Sequence, residues 1–233
     1  MVYVFEPHGD DTLISCWPLL TQHAFKLDVI TFGFSRSSKK LKRYLPAIRE
    51  TRHYELNEVS WWVRSVYIEE FLAWDKRRNT GSLDVRTAWE WQRDRTTRCE
   101  NWLENYYQSK RVMEAVLRGF KSGDHVYAPI GLVHPYHIML ADLVVGAVAQ
   151  YPHLQFSFYS EAPYNEHTWT DEIEYSHPLA LTGGRSLWIL PGHDSERKEK
   201  IFRAVYPTET ALLTRGPAVL TNDYRFYSAS SPL

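Results

Sequence analysis

The chain has 233 residues, 44% of them hydrophobic, with 27 Lys and Arg against 28 Asp and Glu and a formal net charge of −1. That length supports a large domain with a sizeable core, and the near-zero charge excludes a global electrostatic case for nucleic acid or membrane. Two cysteines, Cys16 and Cys99, stand too far apart for a disulfide framework or a thiolate metal site, so a reduced, cytoplasmic setting is expected.

Val2 to Phe5 is a short apolar run that reads as a buried strand and stops at Pro7. No basic region or long apolar stretch precedes it, so no signal peptide is expected. Thr12 to Ala24 carries helical spacing in Leu13, Cys16, Leu19 and Leu20, with Pro18 against it and Asp11 or Thr12 as the cap. Leu27 to Phe32 reads as a second buried strand, and Gly33 to Leu45, polar, basic and serine-rich, as a loop. Pro46 to Val59 reads as a helix with Pro46 in its first turn and Arg49, Glu50 and Arg52 near its start. Trp61 to Tyr67 reads as a third strand.

From residue 69 to about 98 no strand pattern holds, and Asn79-Thr80-Gly81 marks a turn. Six of the nine tryptophans fall between residues 61 and 102 (Trp61, Trp62, Trp74, Trp89, Trp91 and Trp102), a regional bias. Cys99 to Lys121 reads as a helix ended by Ser122-Gly123-Asp124. Val126 to Ile130 is a strand, His137 to Gln150 a helix stopped before Pro152, and Gln155 to Tyr159 a strand. Ser186 to Leu190 is a late strand, Ser195 to Val205 a helix, and Arg215 onward irregular. The longest apolar stretch, Leu140 to Ala149, is broken by Asp142 and too short to span a bilayer, so no membrane span is expected.

Strands alternating with helices predict an α/β fold, a three-layer sandwich with a mostly parallel central sheet covered on both faces. With no repeats or low-complexity linkers, residues 1–233 read as a single domain with a Trp-rich insertion at about 69–98.

Two clusters carry the chemistry. His8, Asp10 and Asp11 follow the first strand, and His134-Pro135-Tyr136-His137 follows the strand at 126–130. In a parallel sheet, ligands bind outside the carboxyl ends of the strands, so both clusters belong on one edge of the sheet. A catalytic zinc takes about three protein ligands and leaves one position for water. His8, Asp11 and His137 meet that requirement, leaving Asp10 as a general base and His134 as a donor to a developing oxyanion, which together make a hydrolase.

Pro7-His8-Gly9-Asp10-Asp11 resembles the Pro-His-Pro-Asp-Asp signature of the LmbE-like zinc deacetylases, the superfamily that includes the GlcNAc-phosphatidylinositol de-N-acetylases. His134-Pro135-Tyr136-His137 resembles that family's later His-Pro-Asp-His motif, and Lys200 with Tyr206-Pro207-Thr208-Glu209 loosely resembles its late helix. The resemblance implies a Rossmann-like domain and zinc on His8, Asp11 and His137. Asp10 would then be the general base, with His134 stabilising the tetrahedral intermediate or protonating the leaving amine. It implies removal of an N-acetyl or other N-acyl group from an amino sugar or its conjugate. Three positions depart from the pattern: Gly9 replaces a proline, Thr12 a glutamate, and Tyr136 the Asp that orients the first histidine.

Arg49, Tyr159 and Tyr164 are candidate substrate residues. The other histidines and the basic runs Lys39 to Arg43 and Lys76 to Arg78 read as surface or core. Trp74, Trp89 and Trp91 stand among arginines and suit a substrate lid or a partner interface. The expected partner is a small N-acylated amine carrying sugar. Those arginines leave a phosphorylated or nucleic-acid-attached substrate open, and the sequence sets no oligomeric state. A deacylase of a nucleoside, modified base or antibiotic, or a catalytically weak binding module, is the alternative. Iron, cobalt or nickel would fit the same ligands as zinc.

Overall fold

The computed structural model describes residues 1–21, 26–33, 38–56, 102–131, 134–162, 186–190, 194–207 and 224–229. The strand expected at 61–67, the Trp-rich segment at 69–98 and Tyr164 lie outside the described residues. The strands are β1 (Val2–Glu6), β2 (Leu27–Thr31), β3 (Ile48–His53), β4 (His125–Pro129), β5 (Gln155–Tyr159), β6 (Ser186–Leu190) and β7 (Tyr224–Ser228). The helices are α1 (Asp11–Ser15), α2 (Trp17–Thr21), α3 (Ser38–Tyr44), α4 (Trp102–Leu117), α5 (Pro135–Gln150) and α6 (Ser195–Val205).

These strands form one sheet in the order β3-β2-β1-β4-β5-β7-β6. The pairs from β3 across to β5 are parallel, and β7 runs antiparallel to both β5 and β6. Successive side chains of a strand point to opposite faces, which splits the core in two. Tyr3, Phe5, Val126, Ala128, Phe156 and Phe158 face α4 and α5, packing on Met113, Leu117, Met139, Leu143 and Ala147. Val4, Leu27, Val29, Tyr127 and Phe226 face the other layer, packing on Leu13, Cys16, Trp17, Leu41, Phe202 and Val205. The chain is therefore an α/β sandwich with a mostly parallel central sheet, as its strand–helix alternation predicts. No helix among the described residues is long and apolar enough to cross a membrane.

Four elements differ from the sequence reading. The helix expected from Pro46 is instead β3, the last strand of the sheet on that side among the described residues, with Leu27 N bonded to Ala47 O and Ile48 starting the pairing with β2. Arg49, Glu50 and Arg52 therefore lie on a strand. An edge strand needs little apolar surface and is commonly blunted by charge, so its polar pattern imitates a helix face. The expected loop at 33–45 contains α3, anchored by fully buried Leu41 and, just beyond, Leu45. The helix expected at 12–24 breaks at Cys16 into α1 and α2, because Pro18 has no N–H for the Ile14 carbonyl. The irregular tail expected from residue 215 includes β7, whose Tyr224, Phe226 and Tyr227 are buried.

Candidate metal centre

β1 lies between β2 and β4, so the chain leaves it towards one side of the sheet and later returns on the other. The loops beyond β1 and β4 diverge at such a switch point and open a crevice for ligands. His8 follows β1, and His134 and His137 follow β4. The topology therefore brings together the two clusters that are 129 residues apart in sequence.

His8 Nδ1 lies 3.1 Å from His137 Nε2. Asp11 Oδ2 lies 3.5 Å from each of those nitrogens. Bonds to zinc of about 2.0–2.1 Å in a tetrahedral site place ligand atoms about 3.3 Å apart, so the spacing of this triangle fits one such ion. His8 and Asp10 are half-buried, while Asp11, His134 and His137 are buried. Burial pushes the Asp11 carboxyl up, but His137 and the ring and backbone N–H of His8 outweigh it and hold it below the usual carboxylate range.

His134 offers a second possible set, because nitrogens of His8, His134 and His137 all lie within 4.8 Å of one another. The hydrogen bonds separate the three imidazoles. His137 Nδ1 faces Glu161 Oε1 at 3.1 Å, so Nδ1 carries the proton and the Nε2 lone pair points at the cluster. His134 caps α5, and its Nδ1 accepts from Tyr136 N at 3.2 Å. A neutral imidazole whose Nδ1 accepts carries its proton on Nε2, so in this arrangement His134 presents an N–H.

Glu161 has no counterpart in the sequence reading. Its carboxylate also accepts from Ile130 N at 3.2 Å and Gly131 N at 3.0 Å, tying the loop after β4 to His137. It stands just beyond β5, at the same sheet edge as both clusters, and that position was the available signal. Glu6 at the end of β1 is also fully buried. It accepts from Thr31 Oγ1 at 2.6 Å and Thr12 N at 2.9 Å, and burial pushes its carboxyl up to about 7 against those bonds.

Tyr136 turns into the core, with its hydroxyl 3.3 Å from Ser109 Oγ and its ring 6.0 Å from that of His8. Gly33 gives it room: a Cβ there would stand 2.9 Å from the Tyr136 ring and 2.6 Å from Pro7 O. Two of the three substrate candidates are engaged elsewhere. Arg49 binds Asp28 at the opposite end of the sheet, with Nε 2.8 Å from Oδ1. Tyr159 is fully buried and donates to Phe5 O at 3.0 Å. Tyr164 lies outside the described residues. In the late helix the buried lysine is Lys198, while Lys200 is exposed.

No protein-family model and no curated protein matches the sequence. Solved structures do match by fold. A deacetylase–teicoplanin complex from the teicoplanin biosynthesis pathway superposes with a TM-score of 0.51 at 11% identity, covering 100% of this chain and 99% of that one. A deacetylase triple mutant from the same pathway gives 0.50 at 11% identity, covering 99% and 98%. At that identity the likeness establishes the fold that the two chains share with this one.

Proposed function

We propose that the chain is a zinc-dependent amide hydrolase that removes an N-acyl group, an acetyl foremost, from an amino sugar or a conjugate carrying one. The observation that carries this reading is the triangle of His8 Nδ1, Asp11 Oδ2 and His137 Nε2; His134 lies with the other two histidines, and Asp10 adjoins Asp11 in the chain. The fold shared with the deacetylases of the teicoplanin pathway supports N-deacylation and keeps an antibiotic beside the amino sugar as substrate class.

His8, Asp11 and His137 would hold the metal, which when bound supplies Lewis-acid chemistry, polarising the acyl carbonyl and lowering the pKa of a water. Asp10, half-buried at the N-cap of α1, takes a proton from the attacking water. His134 Nε2–H donates to the carbonyl oxygen as negative charge develops on it. Nδ1 accepts from Tyr136 N, so the role assigned to His134 is that of a donor through Nε2–H. The proton for the leaving nitrogen therefore comes back from Asp10, and the products are a carboxylic acid and a free amine.

Asp10→Asn removes the base and keeps the proposed ligands. Acetate release from a panel of N-acetylated amino sugars should fall by about 10²–10⁴-fold, with zinc content by elemental analysis unchanged. Full activity in this variant would remove Asp10 from the mechanism.

A further inference from the structure

The loop that carries His8 and Asp10 is pinned through its carbonyls. Pro7 O accepts from Gly33 N at 2.9 Å, His8 O from Asp11 N at 3.3 Å, and Asp10 O from Ile14 N at 3.0 Å. Those donors are backbone amides. Gly9 O instead accepts from the hydroxyl of Tyr206, a side chain at the end of α6. Tyr206 is 2% exposed and its ring packs on Phe202 with centroids 5.2 Å apart, so the hydroxyl is delivered by a rigid part of the molecule.

The same helix makes a second contact. Pro18 leaves Ile14 O without the amide that an unbroken helix would supply. Lys198 Nζ, from α6, donates to that carbonyl at 2.8 Å and to Tyr224 Oη at 2.7 Å. Lys198 is fully buried, and a buried polar group is retained at a cost unless it is hydrogen-bonded. One of its partners here is the carbonyl exposed by the break between α1 and α2.

We propose that α6 clamps the metal-holding loop, with Tyr206 and Lys198 as positioning residues that fix the peptide after Gly9 and the end of α1. The proposal rests on the reading of His8 and Asp11 as ligands and Asp10 as base. Gly9 O and Asp10 N belong to one planar peptide, so holding the carbonyl fixes the direction in which the chain enters Asp10. Glycine leaves the turn at position 9 with more backbone freedom than any other residue, and the tyrosine removes that freedom. Catalytic geometry tolerates little error, since a displacement of about 1 Å can cost about 10²-fold in rate.

Tyr206→Phe deletes the hydroxyl and keeps the ring, Lys198→Met deletes the ammonium, and Lys200→Met on the exposed face is the control. In metal-free protein, amide exchange at Asp11 and Ile14 should rise about tenfold in Tyr206→Phe, with exchange in β2 and β5 unchanged. Zinc affinity, by competition with a chromogenic chelator, should weaken about tenfold, with Tm and the Lys200→Met control near wild type. Wild-type exchange at Asp11 and Ile14, or raised exchange with unchanged zinc affinity, would overturn the proposal. If Lys198→Met does not fold, Tyr206→Phe decides alone. A wild-type chain that binds no zinc would sink the reading of the metal centre, and the exchange measurement would still decide the clamp.

Discussion

Glu161 does more for the centre than its distance from the reacting groups suggests. Its two oxygens collect Ile130 N, Gly131 N and His137 Nδ1, and that last bond holds the imidazole in the tautomer that aims Nε2 at Asp11 and His8. A carboxylate behind a metal-binding histidine fixes the ring and raises its basicity. Glu161→Gln keeps the shape and removes the charge. Zinc affinity should fall about 10- to 100-fold with the circular dichroism spectrum intact, and wild-type affinity would deny Glu161 this part. His8, Asp10, Asp11, His134 and His137 were legible as candidates because each sits in a short motif that follows a strand. Glu161 also follows a strand, but no histidine or second carboxylate adjoins it there, and its contact with His137 depends on β5 pairing with β4.

The turn after β4 shows how tightly the elements meet. Gly131 has φ +90°, and a Cβ there would lie 2.9 Å from Ala141 Cβ and 3.1 Å from Ile138 Cα, both on α5. Gly131→Ala therefore combines backbone strain with a clash and should cost about 1–3 kcal/mol, read as a lower denaturant midpoint. Gly146, on the exposed side of the same helix, meets nothing within 4 Å. Gly146→Ala should be neutral or stabilise by up to about 1 kcal/mol, and the same effect at both positions would refute the packing argument. The buried strands β1, β2, β4 and β5 were readable as apolar runs because a parallel sheet covered on both faces demands them. β3 escaped because an edge strand is relieved of that demand, and Ile48 is its one buried residue. α3 escaped because the inward anchors Leu41 and Leu45 are diluted by Lys40, Lys42 and Arg43.

At the scale of the molecule, the end of the sheet opposite the metal centre sets an acid limit. His125 opens β4 with Nε2 2.9 Å from Ser157 Oγ and its ring stacked on Tyr127, centroids 4.3 Å apart. Burial, and then the charge of the N-terminal amine, lower its pKa from 6.5 to about 4. Between those values the unfolded chain binds the proton and the folded one does not, so stability rises with pH through that window. The contribution is complete above pH 6.5 and is lost as pH falls towards 4, at most about 3 kcal/mol. His125→Gln should flatten the dependence of the urea midpoint on pH between 6.5 and 4. An unchanged slope would place the acid sensitivity elsewhere.

The antiparallel β7, slotted between β5 and β6, also orders events during synthesis. Both motifs and the five parallel strands are synthesised by residue 159, yet among the described residues the neighbour on the outer edge of β5 is made only with residues 224–228. At about 5–20 residues per second, a nascent chain spends several seconds without β7 on that edge. Lys198 waits for Tyr224 over part of the same interval. A stalled or prematurely terminated product would therefore carry the His8 and His134 motifs on a sheet that lacks β7, open to pairing with another chain, and would be a substrate for chaperones or for aggregation.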